Sequence, residues 1–502
     1  MCRCLWPRGK ILGGSSVLNY MLYVRGNRHD YDAWSAAGNT GWSYDEVLPY
    51  FLKSEDNRNE YLASTPYHST GGPLTVTETP FHTPLVAAFL DAGVELGYEK
   101  NDGNGGRQAG FMVAQTTTRD GLRLSTAKAF LRPARSRKNL HVAMEATVTQ
   151  IVFDAEKRAT GVKFVRHGVH YEVQAVKEVI LSAGAIASPQ LLMLSGVGPA
   201  AHLRSLSIPV VADLPVGDNL QDHVALAGMV FQIDKPYSLI LKEVATVPNM
   251  LNFFLRGKGP FTSTGAAEGL AWVNTKYAPV DKDWPDIEFH FIGGSPVSDM
   301  SYAVRHGSGI RDDVWNEYYE PLLNTHTWQV MPMLLRPQSK GTIRLASADP
   351  FDKPLIDPRY FGVEQDLKVL VEGVKIAIQL SRTQPFQELG TRFYAKPFPG
   401  CQNHTVYTDE YWACFIRHYS QTDHHAVGTC KMGPASDATA VVDPRLRVRG
   451  LRGLRVVDAS VIPDVPSGNT NAPVIMIAEK AADLIKQDWN VATLPLPRPK
   501  IN

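Results

Sequence analysis

His424 and His425 stand side by side in Asp423-His424-His425-Ala426-Val427-Gly428-Thr429-Cys430, ahead of a turn of small residues. Imidazole is the side chain whose ordinary pKa lies nearest neutrality, so a neutral ring here can take a proton from a hydroxyl. General-base help of this kind is worth roughly 10² to 10⁴ in rate. A His-His pair alone is more often a surface or satisfied core feature, and the company it keeps decides. Two glycine-bearing stretches lie upstream. In the first, Pro7 to Met21, the pair Gly13-Gly14 lets the backbone approach a ligand closely, while Ser15 and Asn19 offer hydrogen bonds. The second runs from Gly184 through Ser188-Pro189-Gln190 to Gly198. Downstream, Asn469 in Ser467-Gly468-Asn469-Thr470 carries an amide that can donate to, or accept from, a substrate oxygen. The sequence has no GxSxG elbow, which argues against a serine hydrolase.

These side chains need elements to position them. Val142-Ala143-Met144, Val148 to Phe153, Val162 to Val165, Val169 to Val173 and Glu178 to Leu181 read as strands of a sheet layer. Ser188 to Leu194 reads as a short helix with Pro189 at an early position, where its missing N–H costs nothing. Leu367, Leu370, Val371, Val374 and Ile378 recur at helical spacing within Glu364 to Ser381, which predicts a core-facing amphipathic helix. Trp284 to Ile292 alternates Ile287, Phe289 and Phe291 with Glu288 and His290, the pattern of a half-buried strand in a second, sheet-containing domain. Leu454 to Asp458 reads as a strand ending on an acid. A turn-rich stretch and a helix from Ala472 to Lys486 follow it, and ligands of open α/β sheets bind at such strand-to-helix junctions. Gly196-Val197-Gly198-Pro199-Ala200-Ala201 has the GxGxxA form of a phosphate loop but follows a helix, which is the wrong context.

Bulk properties exclude several classes. A chain of 502 residues exceeds one ordinary core and implies two or more domains. Fifty-one basic against 50 acidic side chains leave a net charge of +1, which supplies no overall field for capturing nucleic acid or an acidic membrane surface. No apolar run reaches the ~18 residues of a spanning helix, and the N-terminus lacks the apolar run of a secretory signal. The five cysteines, Cys2, Cys4, Cys401, Cys414 and Cys430, show no zinc-site spacing, so no metal is expected. Cys401 and Cys414 are near enough in sequence to bridge in an oxidising compartment, or to remain two buried thiols. The sequon Asn403-His404-Thr405 lies between them and favours the extracellular reading.

Taken together and in order, these stretches resemble the glucose-methanol-choline oxidoreductases, a family of flavoenzymes, and within it the insect FAD-dependent glucose dehydrogenases. Arg25-Gly26-Asn27, Asp30-Tyr31-Asp32-Ala33-Trp34, Asn219-Leu220-Gln221-Asp222-His223 and the ending from Asp458-Ala459-Ser460 to Ala482 fit the same family. The resemblance implies an α/β fold: an FAD-binding, Rossmann-like domain and a substrate domain of α+β type with an antiparallel sheet. The division it suggests is 1–224 FAD-binding, 225–335 substrate-binding, 336–440 the remainder of the substrate domain, and 441–490 a return to the FAD-binding domain. It also selects His425, not His424, as the catalytic base, because that family's histidine directly precedes a residue followed by Val-Gly-Thr. The second active-site residue lies about 44 positions on, which favours Asn469 over Asn471. Gly13, Gly14, Ser15 and Asn19 would line the flavin and its diphosphate, Val148 the adenine end, and Asp458, Ala459 and Thr470 the ribityl-diphosphate side. Ser16-Val17-Leu18-Asn19 contains no histidine for a covalent link, so noncovalent FAD is expected. The partners implied are a small-molecule alcohol and an electron acceptor, quinone or other, with neither nucleic acid nor a membrane span.

One departure stands out. The family opens with a strand, a GxGxxG turn and a helix that receives the FAD diphosphate, and this sequence begins after them. The resemblance therefore predicts a Rossmann-like domain lacking its first βαβ unit, with on the order of 100 residues absent. The expectation is a truncated product that binds little flavin by itself. The alternative is a catalytically inactive relative serving as a binding or structural protein.

Overall fold

The computed structural model describes residues 4–299 and 303–497, so Cys2 lies outside the described residues. An eight-stranded antiparallel sheet organises one half of the molecule. Its order is Arg392–Phe393, Val230–Gln232, Thr327–Leu334, Ile287–Ile292, Ala267–Val273 and Gly110–Val113. Val224–Leu226 also pairs with Thr327–Leu334, through Ala225 and Met333, and Ser420–Thr422 pairs with Val224–Leu226. The alternation read in Ile287, Phe289 and Phe291 sends these side chains to one face. There they join a core with Phe231, Trp328 and Phe386, whose rings stack at 4.1 and 4.2 Å from Trp328. The helix over this face spans Glu364–Ser381, with all five predicted apolar positions buried. It approaches so closely at Gly373 that a Cβ there would stand 3.0 Å from Ile287 Cδ1.

The other face corrects the sequence reading. Glu288 and His290 were expected to meet solvent, yet both are buried. Opposite Glu288 across the ladder are Trp272 and Met333, and opposite His290 are Leu270 and Met331. Chain from the first and last segments covers this face: a Cβ on Gly468 would lie 2.2 Å from Val24 Cγ1 and 3.6 Å from Glu288 Oε2. The polar positions mark a face turned toward other protein.

A second core joins residues from both ends of the chain, including Tyr31, Trp34, Trp42, Ile186, Leu192, Val456, Ile475 and Met476. Two indole N–H groups fasten the ends together, Trp34 donating to the Asp464 carbonyl and Trp42 to that of Pro444. Val179–Leu181 pairs in parallel with Leu454–Val456. Beside this pair, Ala146–Phe153, Ala159–Arg166 and Val169–Gln174 form a three-stranded antiparallel sheet. Val142-Ala143-Met144, read as a strand, is not one: these residues are exposed and unpaired in any ladder. With no sheet partner, β-propensity alone does not make a strand.

The helix read from Ser188 begins earlier, spanning Gly184–Leu194, and this moves Pro189 into its interior. A proline there leaves the carbonyl four residues back without its N–H. That carbonyl belongs to Ala185, and Thr429 Oγ1 donates to it at 2.6 Å. The hydroxyl thus repairs the helix and ties it to the segment that carries His425. At the C-terminal end, the helix expected over Ala472 to Lys486 spans Asn471–Asp488.

Candidate active site

Three strips of chain converge to build the site. Asn219 to His223 runs antiparallel to His425 to Gly428, with Gln221 and Val427 exchanging both backbone hydrogen bonds at 3.1 and 2.9 Å. Gly428 has φ 87°, and a Cβ there would meet the Asn219 carbonyl oxygen at 2.5 Å, so both conformation and space require glycine. The pairing sets His223 against His425. Just before them, His424 adopts φ 61° and is exposed, whereas His425 is buried. The neighbours are therefore not equivalent: one ring faces solvent and the other the interior.

The third strip carries Asn469. Its approach is fixed by the buried carboxylate of Asp30, which accepts from the Ser467 N–H (2.6 Å), Ser467 Oγ (2.8 Å), Trp284 Nε1 (2.8 Å) and the Asn27 N–H (2.7 Å). Gly468 takes φ 147°, outside the range of L side chains. The result brings Asn469 Nδ2 to 3.2 Å from His425 Nε2, while Asn469 Oδ1 is buried with no hydrogen-bond partner. The 44-residue spacing thus corresponds to direct contact.

Hydrogen bonding fixes which His425 nitrogen is free. His223 Nε2 lies 3.0 Å from the Leu335 carbonyl, an obligate acceptor, so His223 carries its proton on Nε2. Its Nδ1 is then an acceptor and takes the proton on His425 Nδ1 at 2.9 Å. His425 Nε2 is left with a lone pair, directed at the Asn469 amide. Burial, and then the neighbouring His223, His290 and His424, hold the His425 pKa well below that of an ordinary histidine. Burial first, opposed by the Leu335 contact, pushes His223 down to about 3. Both rings are neutral at neutral pH.

Carboxylates lie behind the base. Asp423 Oδ2 is 3.4 Å from His425 Nδ1, and burial lifts its pKa to about 6. Asp222 Oδ1 accepts the His425 backbone N–H at 2.8 Å and Oδ2 accepts Thr422 Oγ1 at 2.5 Å and the Tyr360 hydroxyl, with burial raising it to about 7. His290 sits 4.0 Å from Asp423 and 3.3 Å from Glu288. Burial opposes its charge, but Asp423 and Glu288 outweigh burial and raise His290 to about 9. A cationic ring therefore stands among carboxylates near the neutral imidazole of His425.

The glycine-bearing stretches leave open space at Gly14 and Gly184. Gly13 has φ 95° and starts a 3-10 turn over Gly14–Val17, and a Cβ on Gly14 would meet nothing within 4 Å. Ser15 is exposed, Asn19 half-buried, and Arg123 braces the loop by donating to the Ser16 and Asn19 carbonyls. Gly184, at the start of its helix, is equally open to a Cβ. Val148 is 39% exposed on the Ala146–Phe153 strand. Asp458 occupies the junction of the parallel strands, but its carboxylate is committed to protein donors: the Gly184 N–H, Ser188 Oγ and the Ser460 N–H. It shapes the junction, beside which Ala459 and Thr470 are half-buried.

The sequence reading missed roles for His223, Asp222, Asp30, Thr429 and the Glu288–His290 pair. The first three stand in motifs already singled out, but the contacts that give them these places join segments far apart in sequence. Cys401 and Cys414 form a disulfide, and exposed Asn403 lies within its loop. Among the described residues, the grouping of Cys401, Cys414 and His418 has metal-like proximity, but its two sulfurs are bonded to each other.

Models of the GMC oxidoreductase family match residues 2–225, for the N-terminal part, and residues 337–478, for the C-terminal part. The chain belongs to the GMC oxidoreductase family. Glucose dehydrogenase [FAD, quinone] of Drosophila melanogaster is 44% identical over 490 residues, covering 97% of this chain and 75% of that protein. Human mitochondrial choline dehydrogenase is 40% identical over 484 residues, covering 96% and 76%. The solved structure of pyridoxine 4-oxidase from Mesorbium loti superposes with a TM-score of 0.79 at 28% identity, covering 97% of this chain and 86% of that one. The GMC fold accounts for the architecture described above, a mixed α/β body with an antiparallel sheet. No helix among the described residues is long and apolar enough to cross a membrane.

Proposed function

We propose that this GMC oxidoreductase oxidises the hydroxyl of a sugar or another small alcohol with noncovalent FAD, using His425 as base, Asn469 as substrate holder and a quinone as electron acceptor. The observation that carries this reading is the 3.2 Å approach of Asn469 Nδ2 to His425 Nε2, with Asn469 Oδ1 left unpaired in a buried site. A hydroxyl oxygen seated alongside both nitrogens, in place of their direct contact, would accept from the amide while its proton meets the imidazole lone pair. The names of the Drosophila and human relatives support the substrate and acceptor classes.

The residues present fit the cofactor. Gly14 and Gly184 leave room for close backbone approach, Ser15 and Asn19 offer polar contacts, and Ala459 and Thr470 are only half-buried. Gly13, Gly14, Ser15, Asn19, Val148, Ala459 and Thr470 would hold FAD, with Asp458 supporting from beneath. When bound, FAD supplies the acceptor for the hydride of the alcohol carbon.

The protein's own part is positional and protonic. His425 Nε2 takes the hydroxyl proton. The imidazolium then keeps its Nδ1–H bond to His223 and gains the attraction of Asp423, 3.4 Å away. Because burial keeps the resting ring neutral, the base is available over the whole neutral range. Purified protein with saturating FAD, a panel of sugars and small alcohols and a reducible dye tests the proposal. Dye reduction that requires both alcohol and FAD supports it; protein that binds FAD yet reduces no dye with any alcohol overturns it.

A further inference from the structure

We propose that the Val247–Arg256 helix is a membrane-surface anchor that lays one face of the protein on a bilayer containing anionic lipid. The helix is complete in itself: Thr246 caps its start, and Gly257, at φ 62°, ends it by donating to the Asn252 and Phe253 carbonyls. None of its ten residues is buried. Val247, Met250, Leu251, Phe254 and Leu255 fall at i, i+3, i+4, i+7 and i+8, one continuous stripe, and every one is exposed, Phe254 to 79% and Leu255 to 78%. A stripe of this width normally turns toward a core. Here it turns outward, and an outward apolar stripe has a fitting surround only where the neighbouring medium is itself apolar.

Charge selects the partner. Residues 241–258 carry Lys242, Arg256 and Lys258 against Glu243, three cations to one anion, in a chain whose total is only +1. A strongly amphipathic helix flanked by basic side chains lies in the headgroup boundary, its apolar face toward the acyl chains and its cations on anionic headgroups. The surface continues beyond the helix. Gly257 packs on the turn of the Thr118–Arg119 and Leu122–Arg123 hairpin, where a Cβ would stand 2.2 Å from the Asp120 carbonyl oxygen, and Leu122 on that hairpin is exposed. The same hairpin carries Arg123, which braces the loop of Gly13 to Asn19. An acceptor dissolved in the bilayer would thus reach the enzyme beside its proposed flavin loop. That consequence rests on the quinone reading, whereas the docking does not.

Co-sedimentation with vesicles tests the docking without any activity measurement. Wild-type protein is expected to pellet with vesicles of phosphatidylcholine plus phosphatidylglycerol. The double substitution Phe254→Ser, Leu255→Ser, at exposed positions and with an unchanged melting temperature, is expected to lower the partition roughly thirtyfold or more. Arg256→Gln with Lys258→Gln is expected to weaken binding to the anionic vesicles, as added salt does, and to leave pure phosphatidylcholine unaffected. Wild-type protein remaining in the supernatant, or a serine pair that binds as well as wild type, overturns the proposal. So does a wild-type dimer that the serine pair converts to monomer, since a second copy would then own the stripe.

Discussion

Replacing His223 by leucine removes the acceptor that holds the proton on His425 Nδ1, 2.9 Å away, and the donor to the Leu335 carbonyl, 3.0 Å away. A buried donor left unpaired costs about 1–3 kcal/mol. The His425 ring can avoid that cost by moving its proton to Nε2, which disables it as the base. If the competent tautomer becomes disfavoured by this amount, kcat/KM falls by about 5- to 150-fold, since each 1.4 kcal/mol is tenfold. Asp423, 3.4 Å from the same nitrogen, offers a partial substitute, so the lower part of the range applies to the single variant and the upper part to His223→Leu with Asp423→Asn. His223→Gln can restore both contacts, its carbonyl accepting from His425 and its amide donating to Leu335. The assay is alcohol-dependent dye reduction at saturating FAD across pH, with thermal melting as a check on folding. The variant also removes a neighbour that depresses the His425 pKa, so the acidic limb of kcat/KM should move upward. Leucine and glutamine variants of equal activity, or a leucine variant within twofold of wild type with an unmoved acidic limb, would refute the tautomer argument.

Gly468→Ala must fit a side chain at φ 147° and 2.2 Å from Val24 Cγ1, so Asn469 is expected to shift, with kcat falling at least tenfold while FAD affinity, measured by fluorescence titration, holds. Asp30→Asn sets an amide against four donors and should loosen the same strip, costing about 1–3 kcal/mol and lowering the melting temperature by about 1–3 °C; an unchanged melt would contradict its role. His290, raised to about 9, contributes fully below the unfolded value and loses its contribution as pH climbs through about 9, whereas His223, lowered to about 3, contributes above 6.5 and loses its contribution as pH falls. Calorimetry of His290→Gln should therefore show a flattened alkaline limb, and a limb as steep as that of the wild type would contradict the pairing with Asp423 and Glu288. Reducing the Cys401–Cys414 bridge, which closes a loop of 13 residues, should cost about 2–3 kcal/mol in unfolding free energy by denaturant titration.

Local patterns in the sequence located the Glu364–Ser381 helix and the strand around Phe289, because one-sided burial imprints a period on the residues that make it. The same alternation misled at Glu288 and His290, since a polar side chain facing other buried polar groups has the same pattern as one facing water. Pro189 suggested a helix start because the sequence shows the missing N–H but not the Thr429 hydroxyl that replaces it from 240 positions away. Val142 to Met144 lacked a partner strand, and pairing is a tertiary fact. Motif order paired His425 with Asn469, and the structure brings the two into contact; the convergence of other segments around them was illegible. Nothing local in Asp30 reveals that it anchors Ser467, or in His223 that it sets a proton on another ring.

The central claim is that the buried imidazole of His425, and not its exposed neighbour, removes the alcohol proton. Anaerobic rapid mixing of FAD-saturated protein with substrate, followed by loss of the yellow flavin absorbance, addresses it directly. The account predicts that His425→Ala slows this bleaching by roughly 10² to 10⁴ with FAD still bound, while His424→Ala reduces flavin within a few-fold of wild type. Bleaching that survives in His425→Ala, or that is lost instead in His424→Ala, would contradict it.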